Sequence, residues 1–371
     1  MINLKLRKLV LVFSIIGIVI FVAGCDNKNI IQKTEAEIIQ EKLEQRTVKA
    51  PLKLGVITDV HAYGKKVGEN WEINWRSKDA MSRFVNKMND EFKPSAVVEI
   101  GDLVDGRDHN SLEDWKIMDT MMRKLKMPYF NVIGNHEMRS FEKSIWKESS
   151  GQEQTYYYND IKGYRIIILD GNHFPGGKDT SPEKEYYPGE LGPEQWQWLE
   201  TTLKDAAMND KDPVVFVHQP PIETDARPDW FLFPDGAELQ KLFSKYKVRA
   251  VFSGHIERLC DQIIDGVDYF VLQGFWKGNG GLKKEYRFKD AGNFYSVTIS
   301  SEGTNVRGEY RVFNQKNKKN KKSGAGDRIN HWDNFVLNQQ EYTCLDRKEL
   351  KEDNSSGLVV KKETGDIEIE K

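Results

Sequence analysis

Ala96-Val97-Val98-Glu99-Ile100-Gly101-Asp102-Leu103-Val104-Asp105 sets the pattern of this chain: a short apolar run ending in a polar cluster. The pattern recurs four times. Leu52–Thr58 leads into Asp59-Val60-His61, and Tyr129–Ile133 into Gly134-Asn135-His136-Glu137. Val214–Val217 leads into His218, and Ala250–Phe252 into Gly254-His255-Ile256-Glu257. Runs of this length, rich in Val, Ile, Leu and Phe, read as buried strands of an α/β protein. In open α/β sheets, residues just past the carboxyl ends of the strands line the ligand crevice. Two aspartates, an asparagine and four histidines are therefore expected to meet in one place, as a metal site with room for two ions.

Helices are expected between these strands. Met81, Phe84, Val85, Met88 and Phe92 fall three and four residues apart, as do Leu112, Trp115, Met118, Met122 and Leu125. Gly192-Pro193 opens a third helix through Trp196, Leu199 and Leu203, with proline suited to the first turn. Leu239, Leu242, Phe243 and Tyr246 mark a fourth. Beyond the last cluster, Tyr269–Leu272, Phe294–Ile299 and Val306–Phe313 read as strands of hairpins. Residues 51–313 thus read as one α/β domain, long enough to bury a sizeable core. Residues 314–371 are expected to form a lysine-rich linker and charged tail. Lys316–Lys322 holds five lysines, and Trp332–Tyr342 is the aromatic part of the tail able to dock on the domain.

Residues 1–25 read as lying outside the fold. Lys5, Arg7 and Lys8 form a basic start, and Leu9–Val22 is apolar without a charge. That run is short for a spanning helix, which needs about 20 residues, and fits the apolar core of a secretion signal. Val22-Ala23-Gly24-Cys25 resembles the lipobox of bacterial lipoproteins, which implies a lipid-modified Cys25; the alternative is an uncleaved anchor. Either holds the protein at the cell membrane, on its extracytoplasmic face. Residues 26–50 are expected to be a polar tether with a short helix near Glu35–Glu44.

Removing residues 1–25 takes away three positive charges and no negative ones, so a net charge of −2 becomes about −5. That balance gives no basic track for a nucleic-acid polymer. It leaves room for a small phosphate ester. Cys260 and Cys344 remain as candidates for a disulfide. The oligomeric state has no signature in the sequence.

An aspartate and a histidine two residues apart at a strand end can offer oxygen and nitrogen to one ion. Asp102 has two oxygens and can bridge two ions; Asn135 adds an amide oxygen, His218 and His255 add nitrogens. Mixed oxygen and nitrogen ligation suits Mn, Fe or Zn and argues against a thiolate site. Two such ions lower the pKa of a bound water and clamp the oxygens of an in-line displacement.

The order Asp-x-His, Gly-Asp-x-x-Asp, Gly-Asn-His-Glu, His, Gly-His-x-x resembles the calcineurin-like metallophosphoesterase superfamily over roughly residues 52–260. The resemblance implies a four-layer αββα sandwich, two mixed sheets flanked by helices. It implies two divalent metal ions, one on Asp59, His61 and Asp102, the other on Asp102, Asn135, His218 and His255. His136 would contact phosphoryl oxygens and help protonate the leaving group, with Asp105 and Glu137 behind the ligands, orienting histidines or the asparagine. The implied activity is hydrolysis of a phosphomonoester, phosphodiester or nucleotide-type diphosphate by a water that the metals activate. The family usually ends in Gly-His-x-His, and this chain has Glu257 at the last position. Glu257 either ligates the first ion, shifting preference toward harder cations, or points away. The departure at Glu257 leaves open a catalytically weak or inactive phosphoesterase-fold lipoprotein that acts as a binding protein.

His109 and His173 fall in loops after strand ends, within reach of a substrate but more readily placed on the surface. Trp71, Trp75, Trp230, Phe231, Phe233 and Trp276 could border the cleft as a stacking platform, against the commoner reading of core or loop packing.

Overall fold

Alternation along β4 (Ala96–Glu99) shows how the layers arise. Ala96 and Val98, with Ile100 beyond them, are buried in one apolar cluster, and Val97 is buried in another on the opposite face. The strand is buried on both sides because a second sheet covers one face and helices cover the other. The computed structural model describes residues 33–73, 75–106, 111–174, 178–181, 189–224, 236–256, 259–274, 293–313 and 329–337.

The first sheet runs β16 (Ile329–Leu337), β15 (Gly303–Phe313), β14 (Phe294–Ser300), β1 (Leu52–Ile57), β4 and β5 (Tyr129–Asn131). Strands β1, β4 and β5 are parallel, and β14 to β16 join antiparallel. The second sheet runs β12 (Cys260–Ile264), β13 (Val267–Val271), β11 (Ala250–Ser253), β10 (Asp212–Phe216), β7 (Tyr164–Ile168) and β6 (Tyr157–Ile161). Its four central strands are parallel and its two edges antiparallel. Two hairpins, β2 (Gly64–Val67) with β3 (Asn70–Ile73) and β8 (His173–Phe174) with β9 (Lys178–Asp179), stand apart from both sheets.

Between the sheets, Leu54, Val56, Val98 and Ile100 meet Ile166, Ile168, Val214, Phe216 and Phe252. Phe216, Phe252 and Phe270 stack in a row with centroids 5.1 and 5.0 Å apart. Outside the first sheet, α2 (Trp75–Asn86) and α3 (Ser111–Met122) bring Met81, Phe84, Trp115 and Met118 onto Ile57, Val97 and Ile133. Outside the second, α6 (Pro193–Met208) and α7 (Gly236–Lys245) set Leu199, Leu203, Leu239 and Phe243 against Ile167, Val215 and Val251. The result is the four-layer αββα sandwich. Two short helices, α4 (Asn135–Ser140) and α5 (Lys143–Ser150), follow β5 directly.

Two segments differ from the expected organisation. Residues 26–50 read as a tether, but α1 (Glu35–Glu44) buries Ile39 and Leu43 in the α6 layer. Arg46 then donates to the carbonyl of Lys247, and the Thr47 amide donates to Asp210. Two apolar side chains one turn apart in a charged segment are a weak sequence signal, yet they suffice to dock a helix. At the other end the first sheet continues past residue 313, because β16 pairs along β15. The lysine run between these strands hides the pairing from a reading of composition. Cys260 is buried and disulfide-bonded, and it is the cysteine among the described residues; Cys25 and Cys344 lie outside them.

Candidate metal centre

The strand ends are held in a backbone shape that ordinary residues avoid. Asp59, His61, Asp102 and His255 have φ of 48°, 43°, 57° and 68°. Left-handed geometry costs a residue with a Cβ roughly 1–2 kcal/mol, so four such residues at neighbouring strand ends mark a place where function overrides local preference. Backbone hydrogen bonds fix the shape. The amides of Asp59, His61 and Ala62 donate to the carbonyls of Gly101, Asp102 and Leu103 at 3.0, 2.8 and 2.9 Å. Two glycines allow the close approach: a Cβ on Gly134 would collide with Asp102, and one on Gly254 with Thr58 and Asp59.

Asp59, buried in full, accepts from Thr58 Oγ1 at 2.6 Å and from the His255 amide. His61 Nε2 stands 3.7 Å from both Asp59 Oδ1 and Asp102 Oδ2. That is too long for a hydrogen bond, but it suits two atoms sharing an ion at bonds of about 2.0–2.2 Å. The His136 amide donates to Asp102 Oδ1 at 2.8 Å, and its ring meets that of His61 edge-on at 4.3 Å. His136 Nδ1 lies 2.5 Å from the carbonyl oxygen of Asp105, which fixes the hydrogen on Nδ1 and turns Nε2 toward Asp102 Oδ2, 3.8 Å away. The Asp105 carboxylate faces Nδ1 of both His61 and His136, at 3.6 and 3.7 Å.

The other half of the site supplies the test of whether a cation belongs here. His218 Nδ1 lies 2.7 Å from the carbonyl oxygen of Ile100, which can only accept, so Nδ1 carries the hydrogen. Its Nε2 then presents a lone pair to Asp102 Oδ2 at 3.1 Å and Asn135 Oδ1 at 3.2 Å, with His255 Nδ1 3.2 Å away. Three acceptors facing one another repel unless a positive charge lies among them. In the metal-free chain that charge is a proton: burial opposes it, yet the Asp102 charge and hydrogen bond raise His218 to about 9. His255 goes the other way, to about 3, through burial and then the charge of His218. Burial holds His136 down to about 4 against the pull of Asp102. A divalent ion would replace the proton on His218, and the oxygen and nitrogen donors present fit such an ion.

Of the residues singled out in the sequence, Asp59, His61, Asp102, Asn135, His136, His218 and His255 come together in this one region. Glu257 lies outside the described residues, as do His109, Trp230, Phe231, Phe233 and Trp276. Glu137 was expected to orient histidines or the asparagine. Its buried carboxylate instead accepts from the backbone amides of Asp102, Val104 and Gly134 at 2.9, 3.2 and 2.8 Å, tying two strand-end loops together. Burial, then the charge of Asp102, raises it to about 7. His173 is largely buried, with Nε2 3.2 Å from both Lys143 Nζ and Asp179 Oδ1. Asp170 and Asn172 belong to the site's surroundings without having stood out in the sequence: both are buried, and Asn172 accepts from Gln219, next in sequence to His218. The signal for them was present, since Ile166–Leu169 is a further apolar run ending in a polar cluster.

A probable glycerophosphodiester phosphodiesterase of Arcobacter nitrofigilis is 29% identical over 175 residues, which is 45% of this chain and 58% of that protein. The manganese-dependent ADP-ribose/CDP-alcohol diphosphatase of Arabidopsis thaliana is 24% identical over 214 residues, covering 47% of this chain and 68% of its own. In fold, a dimetal phosphatase from Danio rerio aligns over 70% of this chain and 96% of its own, with a TM-score of 0.53 at 17% identity. The profile of the calcineurin-like phosphoesterases matches residues 52–257, from the first residue of β1 through the last polar cluster, and by that match the chain belongs to the calcineurin-like phosphoesterase family.

Proposed function

We propose that this protein is a metal-dependent phosphoric ester hydrolase, held at the outer face of a membrane by a lipidated Cys25, that cleaves a small phosphate ester at the strand-end site. The observation that carries the reading is the set of acceptors around His218 Nε2, which calls for a positive charge that a divalent ion can supply. Family membership implies divalent ions. Asp59, His61 and Asp102 would hold one, and Asp102, Asn135, His218 and His255 the other. His61, Asp102 and His136 also lie close enough to form a group of three potential ligands. We assign Asp59 rather than His136 to the first ion, because Asp59 Oδ1 already stands as near His61 Nε2 as Asp102 does. When bound, the ions acidify a water and offset charge on the phosphoryl group.

The chain's own residues orient and protonate. Asp102 reaches both halves of the site, and Glu137 fixes the loop that carries it. His136 works at Nε2, since Nδ1 is committed to Asp105. Burial keeps this imidazole neutral near pH 7. A phosphate beside it favours the charged form, so the proton taken up with the substrate is ready for the leaving oxygen. The relatives named for a glycerophosphodiester and for ADP-ribose or CDP-alcohol favour a substrate substituted on both sides of the scissile bond, a diester or a diphosphate, over a monoester.

With Mn²⁺ and a chromogenic phosphodiester, the purified protein should turn over and His136→Ala should fall sharply while keeping its metal. Metal-loaded protein that hydrolyses no monoester, diester or diphosphate would refute the proposal. Cys25→Ser should move the protein from the membrane to the soluble fraction.

A further inference from the structure

We infer that Asn172 is a positioning residue that sets the distance between Asn135 and His218, and so the affinity of the second cation position. This rests on the two-cation reading above. Asn135 and His218 hang from different sheets: Asn135 follows β5 of the first, His218 follows β10 of the second. Their ligand atoms must nonetheless stay within 3.2 Å. Apolar packing between sheets sets a spacing but is not directional. Something directional is required at the strand ends, and Asn172 supplies it.

Its Nδ2 donates at 2.9 Å to the carbonyl oxygen of Ile133, two residues before Asn135. Its Oδ1 accepts at 3.0 Å from Nε2 of Gln219, the residue after His218. One buried amide therefore spans from the first sheet to the second beside the metal centre. The amide is itself held. Asp170 Oδ1 accepts from Asn172 N at 2.8 Å and from Nδ2 at 3.1 Å. Asp170 Oδ2 takes Thr155 Oγ1 at 2.6 Å and Lys143 Nζ at 2.7 Å. Gln195 pairs with the Asp170 backbone in both directions, at 2.8 and 2.7 Å. Burial opposes ionisation of Asp170, but Lys143 and His173 hold its pKa below the ordinary carboxylate value. The first cation position depends less on the sheet spacing, because Asp59, His61 and Asp102 all come from neighbouring strands of one sheet, and the second sheet reaches it through the His255 amide on Asp59.

The test is Mn²⁺ binding, read first by calorimetry and by the exchange-coupled EPR signal of a Mn²⁺ pair. The wild type is expected to bind two ions. Asn172→Ala and Asn172→Asp should keep the first and bind the second roughly 10–100-fold more weakly, a typical effect of removing a group that orients a ligand. Asn172→Asp keeps the shape and the acceptor for Gln219 but loses the donor to Ile133. Raising Mn²⁺ should restore kcat in both with KM little changed. Leu203→Ala, a core change on the far side of the second sheet, should lower Tm while leaving both affinities alone. If neither Asn172 variant folds, Gln219→Leu carries the test with the same expectation. Wild-type affinity for the second ion in a folded variant, or equal weakening of both ions, would overturn the inference. A wild type that binds no Mn²⁺ would instead overturn the two-cation reading beneath it.

Discussion

The two halves of the metal centre are built by different physics. The Asp59–His61–Asp102 half lies on adjacent parallel strands, and its shape is set by backbone hydrogen bonds between two loops and three residues with left-handed φ. The half containing Asn135, His218 and His255 is split between two sheets, and its shape depends on how the sheets are held to each other. Polar links at the strand ends do this, among them His218 Nδ1 to the Ile100 carbonyl and Asn172 to the Ile133 carbonyl. A site made within one sheet is rigid wherever that sheet is folded. A site made between sheets inherits every change in their packing. Of the two proposed cations, the one held between the sheets should therefore be the more labile.

The largest expected effect erases the distinction. Asp102 faces both halves, so Asp102→Asn should weaken both ions and lower kcat/KM by roughly a thousandfold or more, on the scale of losing preorganised charge stabilisation. Steady-state kinetics with metal analysis checks this; loss of a single ion would show that Asp102 does not bridge.

Next comes a change that should separate the halves. Phe216, stacked between the sheets on Phe252, should cost about 3–5 kcal/mol of stability as Phe216→Ala. Its second-ion affinity should fall more than its first. Urea unfolding and Mn²⁺ titration measure the two, and parallel loss of both ions would show that sheet packing does not distinguish the two positions.

The smallest effect concerns pH. Glu99 is fully buried under the first sheet's strand ends, near the carboxylates of Glu137, Asp102 and Asp59. Burial, then the charge of Glu137, raises it well above its ordinary 4.5. The folded state thus keeps a proton that the unfolded chain releases. Stability from this group is present below pH 4.5 and is lost as pH rises through the folded value. Glu99→Gln should match the wild type near pH 4.5 and exceed it increasingly toward pH 8, as urea midpoints would show. A constant difference across that range would mean that Glu99 is ionised in the fold.

Much of this was legible in the sequence because one rule carried it. Apolar runs bounded by polar clusters mark strand ends, and strand ends in parallel sheets face a common crevice. That placed Asp59, Asp102, Asn135 and His218 together although up to 159 residues separate them. The rule fails where the signal lies in pairing rather than in pattern. β16 follows a lysine run that reads as linker, and only its register with β15 makes it part of the sheet. α1 docks through Ile39 and Leu43, too few apolar residues to stand out in a charged segment. Asn172 and Gln219 are uncharged amides, and nothing in their type separates a cross-sheet link from a loop residue. The left-handed backbone at Asp59, His61, Asp102 and His255 is a tertiary demand that residue preferences argue against.

Diffraction at the manganese absorption edge, from crystals grown with Mn²⁺, would locate the cations. Two anomalous peaks are expected, one beside His61 and one beside His218, with Asp102 touching both. A single peak, or peaks away from Asp102, would contradict a two-cation centre shared through Asp102.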